Sequence, residues 1–356
     1  MRFRSEFKSY LRLPNIIVVL AVSLSTFTAV NSSLAEDSAN AQNEPDVYVA
    51  VLGVAQDAGY PQLGCRKDCC KPVWNDPSQH RYTSCIAVID RKANQRFVFD
   101  CTPDFKLQMH LLNQIAGPAN GQVVDGVFLT HGHMGHYTGL IHLGIEAIGA
   151  SEVPVFGTSR MNEYLKTNGP WSQLVRLKNI ELRNMELDKP IQLTERVRVA
   201  AFRVPHRDEY TDTVGFKIST DSKSLVYLPD IDKWSKWDRS IDTVVADTDV
   251  ALLDGSFFAD GELPGRDMAQ IPHPFIEESI ARFSSLPANV RQRIKFIHLN
   301  HTNPAIQNDG DPKVNAAARK IYQAGMGLAR QGEKIALSGG NGAEADKESK
   351  GNGSRP

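Results

Sequence analysis

Long hydrophobic runs and an excess of charge of either sign are both missing from this sequence of 356 residues. The 40 Lys and Arg residues nearly balance the 41 Asp and Glu residues, which leaves a formal net charge of −1. Such a chain has no general positive field that would attract nucleic acid or anionic lipid. The most apolar segment, residues 16–30, is shorter than the roughly 20 residues that span a bilayer. We therefore expect neither a nucleic-acid partner nor stable insertion into a membrane.

Strong compositional bias and internal repeats are also missing. The composition, with 41% hydrophobic and 23% charged residues, is that of an ordinary soluble globular protein. Collagen, coiled-coil and wholly disordered classes are therefore excluded. The length accommodates one α/β domain of about 200 to 300 residues with little left for a second full domain.

The two ends of the chain differ from its middle. Basic residues precede the apolar segment, and Ser33-Leu34-Ala35 follows it with small residues at cleavage-site spacing. This order predicts a secretory signal peptide over residues 1–35 and a periplasmic or secreted mature protein, with an uncleaved anchor as the alternative. Polar residues 36–46 are interpreted as a linker, residues 47–337 as the folded domain, and the Gly-, Asn- and Lys-rich residues 338–356 as a disordered tail.

Short β-branched and aromatic runs alternate with helical stretches through the middle of the chain, which predicts an α/β or α+β layered domain. The predicted strands are 47–54, 84–89, 97–100, 123–130, 153–156, 197–204, 213–218, 224–228, 250–253 and 295–299. The predicted helices are 105–115, 136–148, 159–167, 274–284 and 312–329.

Three of the ten histidines fall within six residues, at His131, His133 and His136, between a predicted strand and a predicted helix. A tight turn can aim several imidazoles at one point, and neutral imidazole is the commonest side-chain ligand for zinc. Three separate surface or helix-capping histidines are the alternative interpretation. Further candidates stand at the ends of later strands: His206, Asp230 and His298.

The order and strand-end placement of these residues resemble the His-x-His-x-Asp-His signature and the downstream ligands of the metallo-β-lactamase superfamily. The resemblance implies a four-layer αββα sandwich. It also implies a first metal on His131, His133 and His206, with Asp230 as the bridging carboxylate, although Asp232 could replace Asp230. By the same analogy Asp100 would orient the histidine loop, unless it is a solvated residue at a strand end.

The sequence departs from the signature at one position, because Gly135 stands where the superfamily carries Asp. The second metal would then keep only His136, Asp230 and His298. We therefore predict one firmly held ion, with the second weaker or absent, and proton transfer through Asp230, His136 or solvent. Zinc is the expected ion, one or two per chain, with iron or manganese as alternatives.

A cysteine-rich segment, Gly53 to Cys70, resembles the N-terminal region of the coenzyme PQQ biosynthesis protein B group and of a phosphodiesterase group of phosphonate metabolism. The resemblance implies a structural zinc there, with His301 completing the ligands. Here Lys67 replaces the middle cysteine of the family spacing, so the predicted set is Cys65, Cys69, Cys70 and His301. A disulfide from Cys65 is the competing interpretation in an oxidising compartment.

Three functions are compatible with these patterns. The first is a metal-dependent hydrolase of an ester, phosphodiester or lactam in a small-molecule substrate. The second is an iron-dependent oxidative enzyme of cofactor maturation, like the PQQ group. The third is a non-catalytic metal-binding protein. Residues 254–268 are either a pocket-lining loop or a surface connection, and His273 is either a helix cap or a neighbour of the site.

Overall fold

In the computed structural model, which describes residues 44–338, the chain forms two sheets of seven strands each. The first sheet has the order β14-β1-β2-β3-β4-β5-β6 and the second β13-β12-β11-β10-β9-β8-β7. The strands of the first sheet are β1 (Val47–Gly53), β2 (Cys85–Asp90), β3 (Gln95–Phe99), β4 (Gly126–Phe128), β5 (Val153–Gly157), β6 (Ile180–Asn184) and β14 (Lys334–Ala336). Those of the second are β7 (Ile191–Gln192), β8 (Arg198–Arg203), β9 (Val214–Ser219), β10 (Ser224–Leu228), β11 (Val250–Asp254), β12 (Ile294–Ile297) and β13 (Gly327–Leu328).

The strand β1 shows why the sheets stack. Its residues are apolar on both faces, and successive side chains of a strand point to opposite sides. Val47, Val49 and Val51 enter the core between the two sheets, whereas Tyr48 and Leu52 enter a second core beneath helices. The first sheet is thus buried on both sides, as a sheet covered by helices must be.

Helices cover the outer face of each sheet. Over the first sheet lie α1 (Phe105–Ala116), α2 (Met134–Tyr137), α3 (Ser159–Thr167) and α4 (Trp171–Arg176). Over the second lie α5 (Ile241–Ala246), α6 (Ile276–Phe283), α7 (Ala288–Arg291) and α8 (Ala316–Gln323). Short 3₁₀ turns occupy Val73–Asn75, Pro77–Gln79, Thr138–Leu143, Trp234–Lys236, Met268–Gln270 and Pro304–Gly310. The layers run helix, sheet, sheet, helix, which confirms the predicted sandwich.

Two predicted helices are wrong in extent. The helix predicted over 136–148 is α-helical only to Tyr137 and continues as a 3₁₀ turn to Leu143. The helix predicted over 312–329 is confined to α8, because Asn315 caps its start and Gly325, with φ of 81°, ends it. The chain then forms β13 beside β12. Strands β6, β7, β13 and β14 and helices α4, α5 and α7 were not predicted.

The predicted signal peptide, almost all of the linker, and all but the first residue of the predicted tail lie outside the described residues. Among residues 44–338, no helix is both long enough and apolar enough to cross a membrane.

Candidate metal centre

The candidate site forms at one edge of the sandwich, where strands of both sheets end. Strands β10, β11 and β12 are parallel neighbours, as are β3 and β4, so their carboxyl ends meet at the same edge. Irregular backbone follows each of them and carries polar side chains into the gap between the sheets. The loops after β4, β8, β10 and β12 bring His131, His206, Asp230 and His298 together.

The first group of side chains consists of His131, His133, His206 and Asp230. One ligand atom from each lies within 4.8 Å of the others. The Nε2 atom of His131 is 3.4 Å from Asp230 Oδ2, and that of His206 is 3.3 Å from Asp230 Oδ1. All the residues expected for a first ion are therefore adjacent.

The second group contains His136, Asp230 and His298, as predicted, together with Asp57 from the loop after β1. The Oδ1 atom of Asp57 lies 3.2 Å from His136 Nε2 and 3.4 Å from His298 Nε2. Burial would raise the pKa of Asp57, but these two imidazoles outweigh it and hold that pKa well below its ordinary value. The carboxyl group is ionised.

Buried polar side chains contact the histidine ring nitrogens that face away from the centre. Asp100 Oδ2 lies 2.8 Å from His136 Nδ1, and Asp100 Oδ1 accepts hydrogen bonds from the backbone and hydroxyl of Thr130. This confirms that Asp100 orients the histidine loop. The hydroxyl of Ser256 is 2.9 Å from His298 Nδ1. Fixing one nitrogen leaves the other ring nitrogen to face the centre, as in metal-ligating histidines.

Asp232 does not substitute for Asp230. It lies behind His206, with Oδ1 3.3 Å from His206 Nδ1, and its other oxygen accepts a hydrogen bond from Lys236. The hydrogen bond from His206 lowers the pKa of Asp232 to about 2. Asp232 therefore orients an imidazole, and Asp230 alone of the two carboxylates faces both groups.

Backbone strain accompanies the site. Asp100 and His298 have φ values of 67° and 65°, in the left-handed region that side chains other than glycine rarely adopt. Such conformations cost of order 1–3 kcal/mol each and concentrate at functional sites. Here they direct the Asp100 carboxylate at His136 Nδ1 and the His298 imidazole at Asp57.

The arrangement fits metal ions, because buried polar atoms in both groups lack hydrogen-bond partners. These atoms are Asp57 Oδ1, His136 Nε2, His206 Nε2, Asp230 Oδ1 and His298 Nε2. Buried polar groups without partners are rare in folded proteins. Ligands about 2.1 Å from a tetrahedral ion lie roughly 3.4 Å from each other. Four separations between candidate ligand atoms, of 3.2 to 3.4 Å, match this edge, and two others are 2.8 and 3.7 Å.

His273 joins the site as a contributor that the sequence left ambiguous. Its Nδ1 lies 2.8 Å from Asp254 Oδ2 and 3.2 Å from Asp230 Oδ1. Burial would lower the pKa of His273, but the carboxylates of Asp254 and Asp230 outweigh it and raise that pKa to about 9. His273 is therefore a buried imidazole that can hold a proton beside the centre.

The cysteine-rich segment forms a separate four-ligand cluster. The sulfurs of Cys65 and Cys69 are 3.7 Å apart, and His301 Nδ1 lies 3.3 Å from Cys70 Sγ. The cysteines are free, which contradicts the disulfide alternative. Thiolates 2.3 Å from a tetrahedral ion lie about 3.8 Å apart, so the spacing fits zinc. Cys85 and Cys101 are buried in the first sheet's outer core, as predicted.

A cavity of about 530 Å³ opens beside the second group. Its lining includes Asp57, His273 and the loop residues Phe257 and Leu263, which decides that residues 254–268 line a pocket. Two arginines, Arg207 and Arg266, also border it, and both are exposed. One side of the cavity thus carries Asp57, a candidate metal ligand, and its border carries two arginines. This combination suits an anionic ligand.

Sequence reasoning missed one residue of the site, Asp57, and left a second, His273, undecided. Asp57 lies within a segment whose resemblance concerned the cysteines, and its only signal is a carboxylate just after a fully apolar strand. His273 stands between two prolines before α6, where a capping role was equally plausible. The partners of both residues are distant in the sequence and come together only when the two sheets stack.

Comparison with known proteins agrees with this architecture. The family model of the beta-lactamase superfamily domain matches residues 95–340. The coenzyme PQQ synthesis protein B of Xanthomonas axonopodis pv. citri is 25% identical over 316 residues, 81% of this chain and 99% of the relative. Its counterpart from Methylorubrum populi is 24% identical over 79% of this chain and 99% of its own length.

Solved structures show the same fold. The Zn²⁺-bound PqqB from Methylobacterium extorquens has a TM-score of 0.68 at 22% identity, covering 82% of this chain and all of that one. A diphosphatase from the PhnP family has a TM-score of 0.54 at 20% identity, covering 81% of this chain and 96% of that one. The chain belongs to the metallo-β-lactamase superfamily and is similar over most of its length to the coenzyme PQQ synthesis protein B group.

Proposed function

We propose that this protein is a metal-dependent hydrolase that cleaves a phosphate ester bond in a small molecule. The observation that carries the proposal is the position of Arg207 and Arg266 on the cavity that also exposes Asp57 and His273. An uncharged ester or lactam needs no such pair of cations. A phosphate ester carries negative charge in the ground state and more in the transition state, and guanidinium groups bind phosphate oxygens in a fork geometry.

Each part of the site has a role in this reaction. The bound metal, for which zinc is the first candidate, would supply a hydroxide at neutral pH and polarise the phosphoryl group. Asp230 belongs to both ligand groups and would supply a carboxylate ligand to each. Arg207 and Arg266 bind and orient the substrate anion. Asp254 orients His273, which can donate a proton to the leaving oxygen.

This assignment gives the proton transfer to His273 instead of Asp230, His136 or solvent, the three routes that the sequence left open. His136 is fully buried, its Nδ1 is bound to Asp100, and its Nε2 faces Asp57 and Asp230. With Nε2 directed at the position of the metal ion and Nδ1 bound to Asp100, His136 has no nitrogen left to carry a proton to a substrate. His273 borders the cavity and has only one nitrogen engaged by the carboxylates.

The test compares three chromogenic substrates on the zinc-loaded protein: bis(p-nitrophenyl) phosphate, p-nitrophenyl acetate and a chromogenic lactam. We expect preference for the phosphodiester, and an Arg207→Ala, Arg266→Ala double variant should raise KM for it by about 10-fold or more while leaving acetate hydrolysis unchanged. Arg183→Ala, at an exposed arginine on β6, is the matched control. Equal loss on both esters, or preference for the lactam, would contradict the proposal.

A second candidate is an iron-dependent oxidative enzyme of cofactor maturation. It is favoured by the similarity to coenzyme PQQ synthesis protein B over almost the whole length of those relatives. Two histidines with carboxylates, as in the group of His136, His298, Asp57 and Asp230, also suit ferrous iron. Elemental analysis of the protein purified without added metal decides between the two. Stoichiometric iron with oxygen consumption would replace the hydrolase proposal.

A further inference from the structure

We propose that Asp57, from the loop after β1, supplies the second metal ion with the carboxylate that is absent at position 135. The inference rests on the proposed use of the site by metal ions, but not on the identity of the substrate. It changes the expectation from the sequence, because a set of His136, His298, Asp230 and Asp57 is complete for a four-coordinate ion.

The position of the Asp57 carboxylate is that of a ligand and not of a surface residue. The side chain as a whole is partly exposed, but its Oδ1 atom is buried and has no hydrogen-bond partner. That atom faces the Nε2 atoms of His136 and His298, which are themselves without hydrogen-bond partners. Three orphaned ligand atoms that face one another are explained together by one cation between them.

Residues 57 and 135 compete for the same space. A Cβ atom placed on Gly135 would lie 2.5 Å from both Cα and Oδ1 of Asp57, and 2.8 Å from its Cβ. Real Cβ atoms essentially never approach backbone so closely, so a side chain at 135 and the present course of the Asp57 loop exclude each other. Only because residue 135 has no side chain can the loop after β1 bring the Asp57 carboxylate to this position.

The loop that carries Asp57 is fastened to the segment that carries His298. The backbone N–H of Gln56 donates to Leu299 O at 2.9 Å, and that of Leu299 donates to Val54 O at 2.8 Å. Ala55 also forms bridges with both Thr83 and Leu299. The two ligands therefore lie on one hydrogen-bonded unit, which fixes the backbone beside Asp57 relative to the segment of His298.

Manganese is the probe for the test, because Mn²⁺ prefers carboxylate and imidazole ligands and avoids the thiolates of the cysteine cluster. The metal-free full-length protein is titrated with Mn²⁺, and binding is counted by calorimetry and by electron paramagnetic resonance. We expect two ions per chain and the spin-coupled signal of a pair. Asp57→Asn should keep one ion, weaken the second by more than about 100-fold and abolish the coupled signal.

A variant that keeps the carboxylate guards against a trivial folding defect. In Asp57→Glu the acidic group stays on the same loop, and we expect at least part of the affinity for the second ion that is lost in Asp57→Asn to return. Asp260→Asn, at an exposed carboxylate of the cavity loop, is the matched control and should bind two ions. A single ion in the unaltered protein, a coupled pair in Asp57→Asn, or affinity for the second ion in Asp57→Glu no higher than in Asp57→Asn would each overturn the inference.

None of these readouts depends on turnover. A protein that binds the coupled pair through Asp57 yet does not cleave the phosphodiester refutes the proposed function alone. A protein that cleaves it with one ion refutes the role of Asp57 alone.

Discussion

Two buried carboxylates at strand ends, Asp90 and Asp230, have opposite surroundings. Asp90 ends β2 and has no exposed surface, and its oxygens accept hydrogen bonds from Thr194, Arg196 and the backbone of Ala93. Asp230 is 2% exposed, and its Oδ1 atom has no hydrogen-bond partner although His206 and His273 lie beside it.

We interpret Asp90 as a structural residue and Asp230 as a residue of the functional site. A buried charge with a full set of partners joins elements, and Asp90 joins the first sheet to the turn between β7 and β8 of the second. A buried charge with orphaned atoms among imidazoles is arranged for a cation that arrives after folding. We therefore expect substitutions at the two ends of the sandwich to act on different properties.

The largest effect is expected at the metal end. Asp230→Ala removes a ligand common to both groups, so hydrolysis of the phosphodiester should fall by about 1,000-fold or more, and Mn²⁺ binding should be lost. Burial would raise the pKa of Asp230, but the surrounding imidazoles hold it well below its ordinary value, so the metal-free variant should unfold at a lower temperature than the metal-free parent. Calorimetric melting and a rate assay measure the two properties.

The cysteine cluster gives this experiment an internal reference. In Asp230→Ala one zinc per chain, bound by the cysteine cluster, should remain. In Cys70→Ser that zinc should be lost. Cys85→Ala is the control for loss of a thiol elsewhere. Loss of all zinc in Asp230→Ala would mean that the two clusters are not independent.

The next effect is expected at the opposite end. Asp90→Ala leaves the Arg196 guanidinium without its carboxylate and should lower the free energy of unfolding by about 3 kcal/mol. Activity at a temperature where the variant remains folded should be retained. Chemical denaturation measures the loss, and Asp221→Ala, in the exposed pair with Arg198, should lose less than about 1 kcal/mol. Equal losses in both variants would remove the distinction between buried and exposed pairs.

The smallest effect is a pH dependence of the stability that Asp90 contributes at this end of the sandwich. Burial would raise the pKa of Asp90, but hydrogen bonds from Thr194 and Arg196 outweigh it and hold the pKa below its ordinary value. The resulting stability is present above the unfolded pKa of about 3.9 and is lost as pH falls through the folded pKa. The stability advantage over Asp90→Asn should therefore shrink below about pH 4, by roughly 1.4 kcal/mol per unit of pKa depression. A constant difference between pH 7 and pH 3 would show that Asp90 contributes by packing alone.

Local sequence determined much of this protein. The continuous apolar run of β1, the alternation in β9, the caps of α3 and α8, and the histidine turn are all set by neighbours in the chain. For this reason most strands and the histidine turn could be predicted from the residues, whereas the sandwich and the ligand roles followed from the resemblance to the metallo-β-lactamase superfamily.

Only the tertiary structure decided the rest. Short segments such as β7 and β13 have no periodicity of their own and become strands because an edge of the sheet is open beside them. Asp57 and Gly135 are 78 positions apart, and nothing local marks one as the complement of the other. Their relation exists only where two loops meet, because a ligand is defined by where its oxygen lies in space and not by its place in the chain.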